Sequence, residues 1–320
     1  MKFYERLAPA KRGCVLEKPG WYIWGASVCK YQNKYYMFAA GWEKKYGFQG
    51  WVQHSTIFKC VSNKPEGPFE ILGEMEELKH QNWGGAVLHN PSVCQVGDKY
   101  YLFYAGTKYE VNELTKDLPN DNEICRYNQR IGVAVSENPA VGFQPVTGNP
   151  VLDINTKAWD GTYVTNPTVW AEEGRVHMVY KALLKDQLPE IVMKLGLAAG
   201  EQADGPYRRI FEHPILPYNI EDPFLWKEDG CYYMLVKDMT GELAGNPDET
   251  VLLESADLSD FKLNEKIPAY NTLVEWEDGV EQYQNVERPQ IYFEGGKPVC
   301  LYNAVRTKTD ESFNLARRFR

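Results

Sequence analysis

Residues 219–226 read NIEDPFLW: two adjacent acids, Glu221 and Asp222, stand before a proline at the start of an apolar run. Residues 285–293, NVERPQIYF, repeat the arrangement with Glu287 and Arg288 in the places of the two acids. The same phrase recurs along the chain as WGASVCKYQNKYYMFAAGW from Trp24, HNPSVCQVGDKYYLFYAGT from His89, TNPTVWAEEGRVHMVYKAL from Thr165, EDPFLWKEDGCYYMLVKDM from Glu221 and ERPQIYFEGGKPVCLYNAV from Glu287. Each copy is a short strand, a turn rich in Gly, Asp, Asn or Glu, and a second strand of aromatic and β-branched residues, the pattern of a β-hairpin.

A further pair of strands follows most hairpins, in STIFKCVSNKPEGPFEIL, RIGVAVSENPAVGFQPV, KLGLAAGEQADGPYRRI and TVLLESADLSDFKL. Four antiparallel strands per unit, in up-and-down order and repeated five times, describe an all-β, five-bladed β-propeller occupying residues 1–320 as one domain with little helix. A β-sandwich also places turns at short intervals, but it gives no reason for one phrase to restart in phase five times. The last unit ends soon after SFNLARRF, so the ring is expected to close with an N-terminal strand, KFYERL, at residues 2–7.

Composition narrows the function. The net charge is −9 with Lys and Arg scattered among acids, which disfavours nucleic acid and anionic membrane as partners. Seven widely spaced cysteines without a C-x-x-C pair argue against a zinc ribbon or a redox motif, and the histidines show no metal-binding spacing. No apolar run reaches the ~20 residues of a membrane-spanning helix, and the N-terminus carries no apolar leader. A cytoplasmic location is the expectation for the sequence as it stands, and a periplasmic or secreted one if a leader has been removed. Aromatic content is high at 13%, with 21 Tyr and 9 Trp, which suits both β-structure and stacking on sugar rings.

In a propeller the inner strands line a central channel, and their first residues converge at one mouth. That ring comprises Trp24 and Gly25, His89 and Asn90, Thr165 and Asn166, Glu221 and Asp222, Glu287 and Arg288. Carboxylates crowded in such a pocket suit glycoside hydrolysis, in which one protonated acid serves the leaving oxygen and one ionised carboxylate activates water or attacks. The structural alternative is that Glu221 and Glu287 pair with Arg288 and lock blades together. Trp24, Trp51 and Trp83 lie close to strand starts of the first and second blades, Trp24 being the expected stacking platform, and His54, His89, Asn90 and Asn166 are candidates to contact sugar hydroxyls. Lys181 and Lys237 occupy matching places at the ends of second strands. Together with Arg288 they suit an anionic sugar, unless each pairs with a local acid such as Asp238 or Glu221.

The repeated EDP and ERP inner strands resemble those of family 43 glycoside hydrolases and their relatives, families 62, 117, 32 and 68, over essentially the whole chain, and most of all a family 43-like and family 117-like branch. The resemblance implies that Glu287 is the general acid, that Asp222 tunes it, and that hydrolysis inverts the anomeric centre. No cofactor is required, although some relatives hold a central Ca or Mg ion. It also implies an aspartate base in blade one, where this chain has Gly25 and Ala26. Glu221, Asp160 and Glu43 are the carboxylates that could replace it, and the ring favours Glu221 or Asp222. The segment 108–130 lacks a strand pattern and is expected to overhang the pocket, restricting action to a terminal sugar of an oligosaccharide. Two other functions suit the same pocket: a carbohydrate-binding propeller that has lost the chemistry, and a glycoside phosphorylase using Lys181, Lys237 and Arg288. The oligomeric state is not legible.

Overall fold

A computed structural model describes residues 2–79, 81–172, 174–184, 192–265 and 267–320. Four antiparallel sheets form blades one to four. Blade one is β1 (Trp21–Tyr31), β2 (Lys34–Glu43), β3 (Thr56–Ser62) and β4 (Glu70–Glu74); blade two is β5 (Val87–Val96), β6 (Lys99–Thr107), β7 (Arg130–Ser136) and β8 (Gln144–Pro145). Blade three is β9 (Val164–Glu172), β10 (Arg175–Leu183), β11 (Met193–Gly200) and β12 (Arg208–Arg209); blade four is β13 (Ile220–Glu228), β14 (Cys231–Asp238), β15 (Glu249–Ser255) and β16 (Lys262–Leu263). A hairpin of β17 (Leu273–Trp276) and β18 (Gly279–Gln282), absent from the sequence expectation, precedes blade five, which comprises β19 (Asn285–Glu294), β20 (Lys297–Arg306) and β21 (Ser312–Arg318). All five repeats are thus inner hairpins of a five-bladed propeller.

The inner strands share one irregularity. Against its neighbour, each contains two residues facing one: Trp24 and Gly25 against Ala40, Asn90 and Pro91 against Tyr104, Asn166 and Pro167 against Tyr180, Asp222 and Pro223 against Val236, Arg288 and Pro289 against Asn303. This is a β-bulge. Its first residue is left-handed in four blades, with φ of 49° at Asn90, 52° at Asn166, 56° at Asp222 and 54° at Arg288. Asn and Asp tolerate that conformation through their short polar side chains, and proline cannot donate to the ladder that the bulge interrupts. A regular strand would send Glu221 and Asp222 to opposite faces, whereas the bulge turns both toward the same pocket.

Away from the axis the blades pack on one another through apolar clusters. Between blades one and two, Phe38, Ile57, Leu88, Leu102 and Phe143 are packed into one cluster; between blades four and five, Phe224, Trp226, Leu235, Ile291 and Leu301 form another.

Ring closure differs in detail from the expected N-terminal strand. Residues Phe3–Arg6 wind into a 3-10 turn instead, with the Lys2 backbone N–H donating to Glu5 Oε2. The turn lets the Phe3 ring enter the core between Trp226 and Phe319, with centroids at 6.4 and 5.8 Å. The N-terminal segment still runs beside β21, pairing through Leu7 with Phe319 and through Leu16 with Asn314. It therefore completes blade five with two short bridges rather than one continuous strand.

Removing residues 1–16 exposes the edge of β21 and strips buried Phe3, Leu7 and Leu16 from the blade junction. The shortened chain is expected to unfold in urea with a stability lower by at least about 3 kcal/mol, from the apolar burial lost. An unchanged midpoint would show that the ring closes without this segment.

Candidate active site

The bulged residues form a chain of hydrogen bonds across the channel. Asn90 Nδ2 donates to Asn166 Oδ1, Asn166 Nδ2 donates to Asp222 Oδ1 at 2.7 Å, and Arg288 Nη1 donates to the same oxygen at 3.1 Å. All four side chains are buried. Blade one contributes Gly25, where an added Cβ would lie 3.0–3.1 Å from the Nε, Cβ and Cγ of Arg288. The arginine of blade five thus fills the space that a side chain of blade one would need. A buried guanidinium and carboxylate are each costly unless paired, so Gly25, Arg288 and Asp222 depend on one another.

One residue earlier, the side chains surround a cavity of about 250 Å³ that Trp24, Trp51, His89, Tyr163, Lys181, Glu221, Lys237 and Glu287 help to line. The lysines arrive through strand register, Lys181 opposite Thr165 and Lys237 opposite Glu221. Lys181 Nζ lies 2.8 Å from Glu221 Oε2, while Lys237 Nζ lies 3.4 Å from Glu221 Oε1 and 2.6 Å from Glu287 Oε1. Lys237 also reaches Asp248 at 2.9 Å. Asn285 Nδ2 donates to Glu287 Oε1 at 2.7 Å, and no described protein group hydrogen-bonds Glu287 Oε2.

The two glutamates are driven apart in acidity. Burial alone would raise both, but Lys181 and Lys237 outweigh it at Glu221 and hold that carboxyl down at about 2. At Glu287 burial dominates; Lys237 pulls the other way, but the charges of Asp222 and Glu221 add to burial and the pKa is raised above the ordinary carboxyl value. One carboxylate is fixed as an anion, and its neighbour is poised to carry a proton. His89 is kept neutral by burial and by the nearby charges of Arg288 and Lys181, with Nδ1 2.7 Å from Ser55 Oγ.

Of the residues expected at the site, Glu287, Asp222, Glu221, Trp24, His89, Asn90, Asn166, Lys181, Lys237 and Arg288 come together around the cavity. Arg288 pairs with Asp222, not with either glutamate. Asp238 caps the following loop, accepting from the backbone N–H groups of Thr240, Gly241, Leu243 and Ala244, and so is not the lysines' partner. Other expected residues lie elsewhere. His54 stacks on Tyr46 at 3.6 Å in a separate depression, and Asp160 is buried within blade three, bonded to Tyr180 and Arg209. Glu43 lies on the rim of the depression holding His54, paired with Lys45. Glu221 and Asp222 are the candidates that line the cavity with Glu287; Glu221 shares Lys237 with it, whereas Asp222 is bonded to Asn166 and Arg288. Trp24 is only 6% exposed and packs on Trp42 and Phe48, while Trp83 packs against Tyr104 in blade two. The half-buried Trp51 stacks on His89 at 4.9 Å.

Sequence reasoning missed Arg126, Gln129, Tyr163, Met193 and Met239 as lining residues. The first two come from the segment 108–130, whose C-terminal half forms a helix, α1 (Asp121–Tyr127), capped by Asn120 accepting from the Glu123 N–H. This segment borders the pocket.

A divalent cation does not fit the channel axis. Asn166 Oδ1 and Asp222 Oδ1 already accept hydrogen bonds, Asn90 Oδ1 is a single buried oxygen without a partner, and the Arg288 guanidinium adds positive charge beside Asp222, a poor set for an ion that takes six or more oxygens.

No family model matches the chain, and no curated protein sequence matches it. Solved structures do. Zg3597, a family 117 glycoside hydrolase produced by the marine bacterium Zobellia galactanivorans, is similar with a TM-score of 0.69 and 14% identity, covering 98% of this chain and 89% of that one. BT0996, in a complex with RGII, gives 0.67 and 12%, covering 98% and 92%. CoXyl43, a family 43 β-xylosidase/α-arabinofuranosidase from a compost microbial metagenome, in complex with xylotriose and in a calcium-free form, gives 0.60 and 16%, covering 97% and 94%. The chain has the propeller fold of family 43 and family 117 glycoside hydrolases.

Substituting Asp222→Ala leaves Arg288 buried without its partner, with an expected loss of about 3–5 kcal/mol in equilibrium unfolding. A loss below about 1 kcal/mol, the scale of a surface pair, would contradict the mutual dependence of the axial residues.

Proposed function

We propose that the protein is a glycoside hydrolase that removes a terminal sugar from an oligosaccharide, with Glu287 as general acid and Glu221 as the ionised carboxylate facing it. The observation that carries this reading is the split between two glutamates sharing one lysine: Glu287 raised by burial and neighbouring acids, Glu221 lowered by two ammonium groups. A proton on Glu287 Oε2 is available to the departing glycosidic oxygen, because Oε1 is engaged by Lys237 and Asn285. Glu221 stabilises positive charge developing at the anomeric carbon, orients the attacking water and takes the proton that water loses as its oxygen bonds to that carbon. Asp222 touches the pocket but is tied to Arg288 and Asn166, so its part is to hold the axis and, through its charge, to keep Glu287 protonated. The border formed by Arg126 and Gln129 supports exo action, and the resemblance to family 43 supports inversion.

The filling of the blade-one position by Arg288 favours a second reading, a propeller that binds carbohydrate without cleaving it. The following outcomes separate the two.

On a panel of aryl glycosides and oligosaccharides, Glu287→Gln is expected to lower kcat by about 100-fold or more, most severely for poor leaving groups. Because the protonated form of Glu287 is the active one, kcat should fall as pH rises through its raised pKa, and this alkaline limb should vanish in the variant. A variant within a few-fold of the parent rate would remove Glu287 from the chemistry, and a parent that binds but cleaves nothing would favour the binding propeller.

Proton NMR of the first-formed product should show the anomer opposite to that of the substrate. The same anomer would mean that Glu221 attacks the sugar directly.

A further inference from the structure

We infer that the pocket selects a sugar bearing an acidic group, a uronic acid, through Arg126; this inference rests on the carbohydrate reading of the site. The cations near the glutamates are already matched. Lys181 pairs with Glu221, Lys237 with Glu221, Glu287 and Asp248, and Arg288 with Asp222. Arg126, in contrast, pairs with no acid among the described residues, although its side chain lines the same cavity. Among the described residues it is the lining cation without an ion pair.

Its placement suits a substrate carboxylate. Arg126 lies on α1 of the inserted segment, with its guanidinium carbon 5.2 Å from the Trp51 ring centroid. Trp51 in turn stacks on the neutral His89. Contact with an indole orients the planar guanidinium without consuming its N–H donors, which stay available for the paired hydrogen bonds that a carboxylate accepts. The charge of Arg126 is felt by Tyr163, on the same cavity wall. A neutral sugar would leave those donors to water. A uronate would replace water by two charge-assisted bonds at the mouth of a largely buried site, where they are worth more than on an open surface.

Binding is read directly, by titration calorimetry at low salt, with D-galacturonate and D-glucuronate against D-galactose and D-glucose as probes. One uronate is expected to bind about tenfold or more tighter than its neutral parent, with the preference shrinking as salt is raised. Arg126→Gln should bring that ratio to near one, and Arg126→Lys, which keeps the charge but not the planar fork, should restore part of it. Circular dichroism of both variants checks that the fold is intact. No uronate binding up to tens of millimolar, neutral sugars binding as tightly, or a preference that survives in Arg126→Gln would each overturn the inference. Hydrolysis of neutral glycosides that depends on Glu287 without any uronate preference would sink this inference alone. Arg126-dependent uronate binding without hydrolysis would sink the hydrolase reading alone.

Discussion

The whole arrangement depends on a repeated backbone constraint, the bulge that places two residues of each inner strand against one of its neighbour. The bulge turns a period-two strand into one that presents consecutive residues to the channel. The residue before each proline goes to the axis, and the one before that goes to the pocket wall. Two layers follow, an inner one of Gly25, Asn90, Asn166, Asp222 and Arg288 and an outer one of Trp24, His89, Thr165, Glu221 and Glu287. The inner layer ties blades two to five together through buried hydrogen bonds, and the outer layer lines the pocket.

The coupling between layers is electrostatic. Asp222 raises Glu287 and Arg288 lowers His89, so the axial pair acts on the protonation of residues above it. Lys237 connects the two glutamates, and the register of β14 against β13 is what delivers it there. Hydrogen bonds from blade five also fix Glu287: Asn303, opposite the bulge, donates to the Glu287 carbonyl and accepts from buried Arg317. A carboxyl whose backbone and one oxygen are pinned has little freedom to escape burial, which is why its neutral form is favoured.

The propeller was legible because an X-Pro phrase marks four of the five inner strands at a fixed phase and the hairpin pattern marks the first, and the bulge explains why that phrase persists. The lysines were legible too, since the ends of second strands repeat with it. Other features had no such marker. The N-terminal turn follows from where Phe3 can be buried, whereas the outer strands β8, β12 and β16, only two residues long, each had a polar turn and an aromatic residue before them to read. The departure at Gly25 could be read in the sequence, but not its cause, since Arg288 lies 263 residues away in the chain and next to it only after the ring has closed. Arg126 stands in a segment without periodicity, so only the structure shows that it borders the pocket.

Carbon-13 NMR of the glutamate side-chain carboxyls as a function of pH tests the central claim most directly, with Glu221 and Glu287 assigned by their Gln variants. One carboxyl, Glu287, should titrate above the ordinary glutamate range, and the other, Glu221, should remain ionised to the acid end of the folded range. If both titrate together near the unperturbed value of about 4.3, the pocket does not separate an acid from an anion and the account fails.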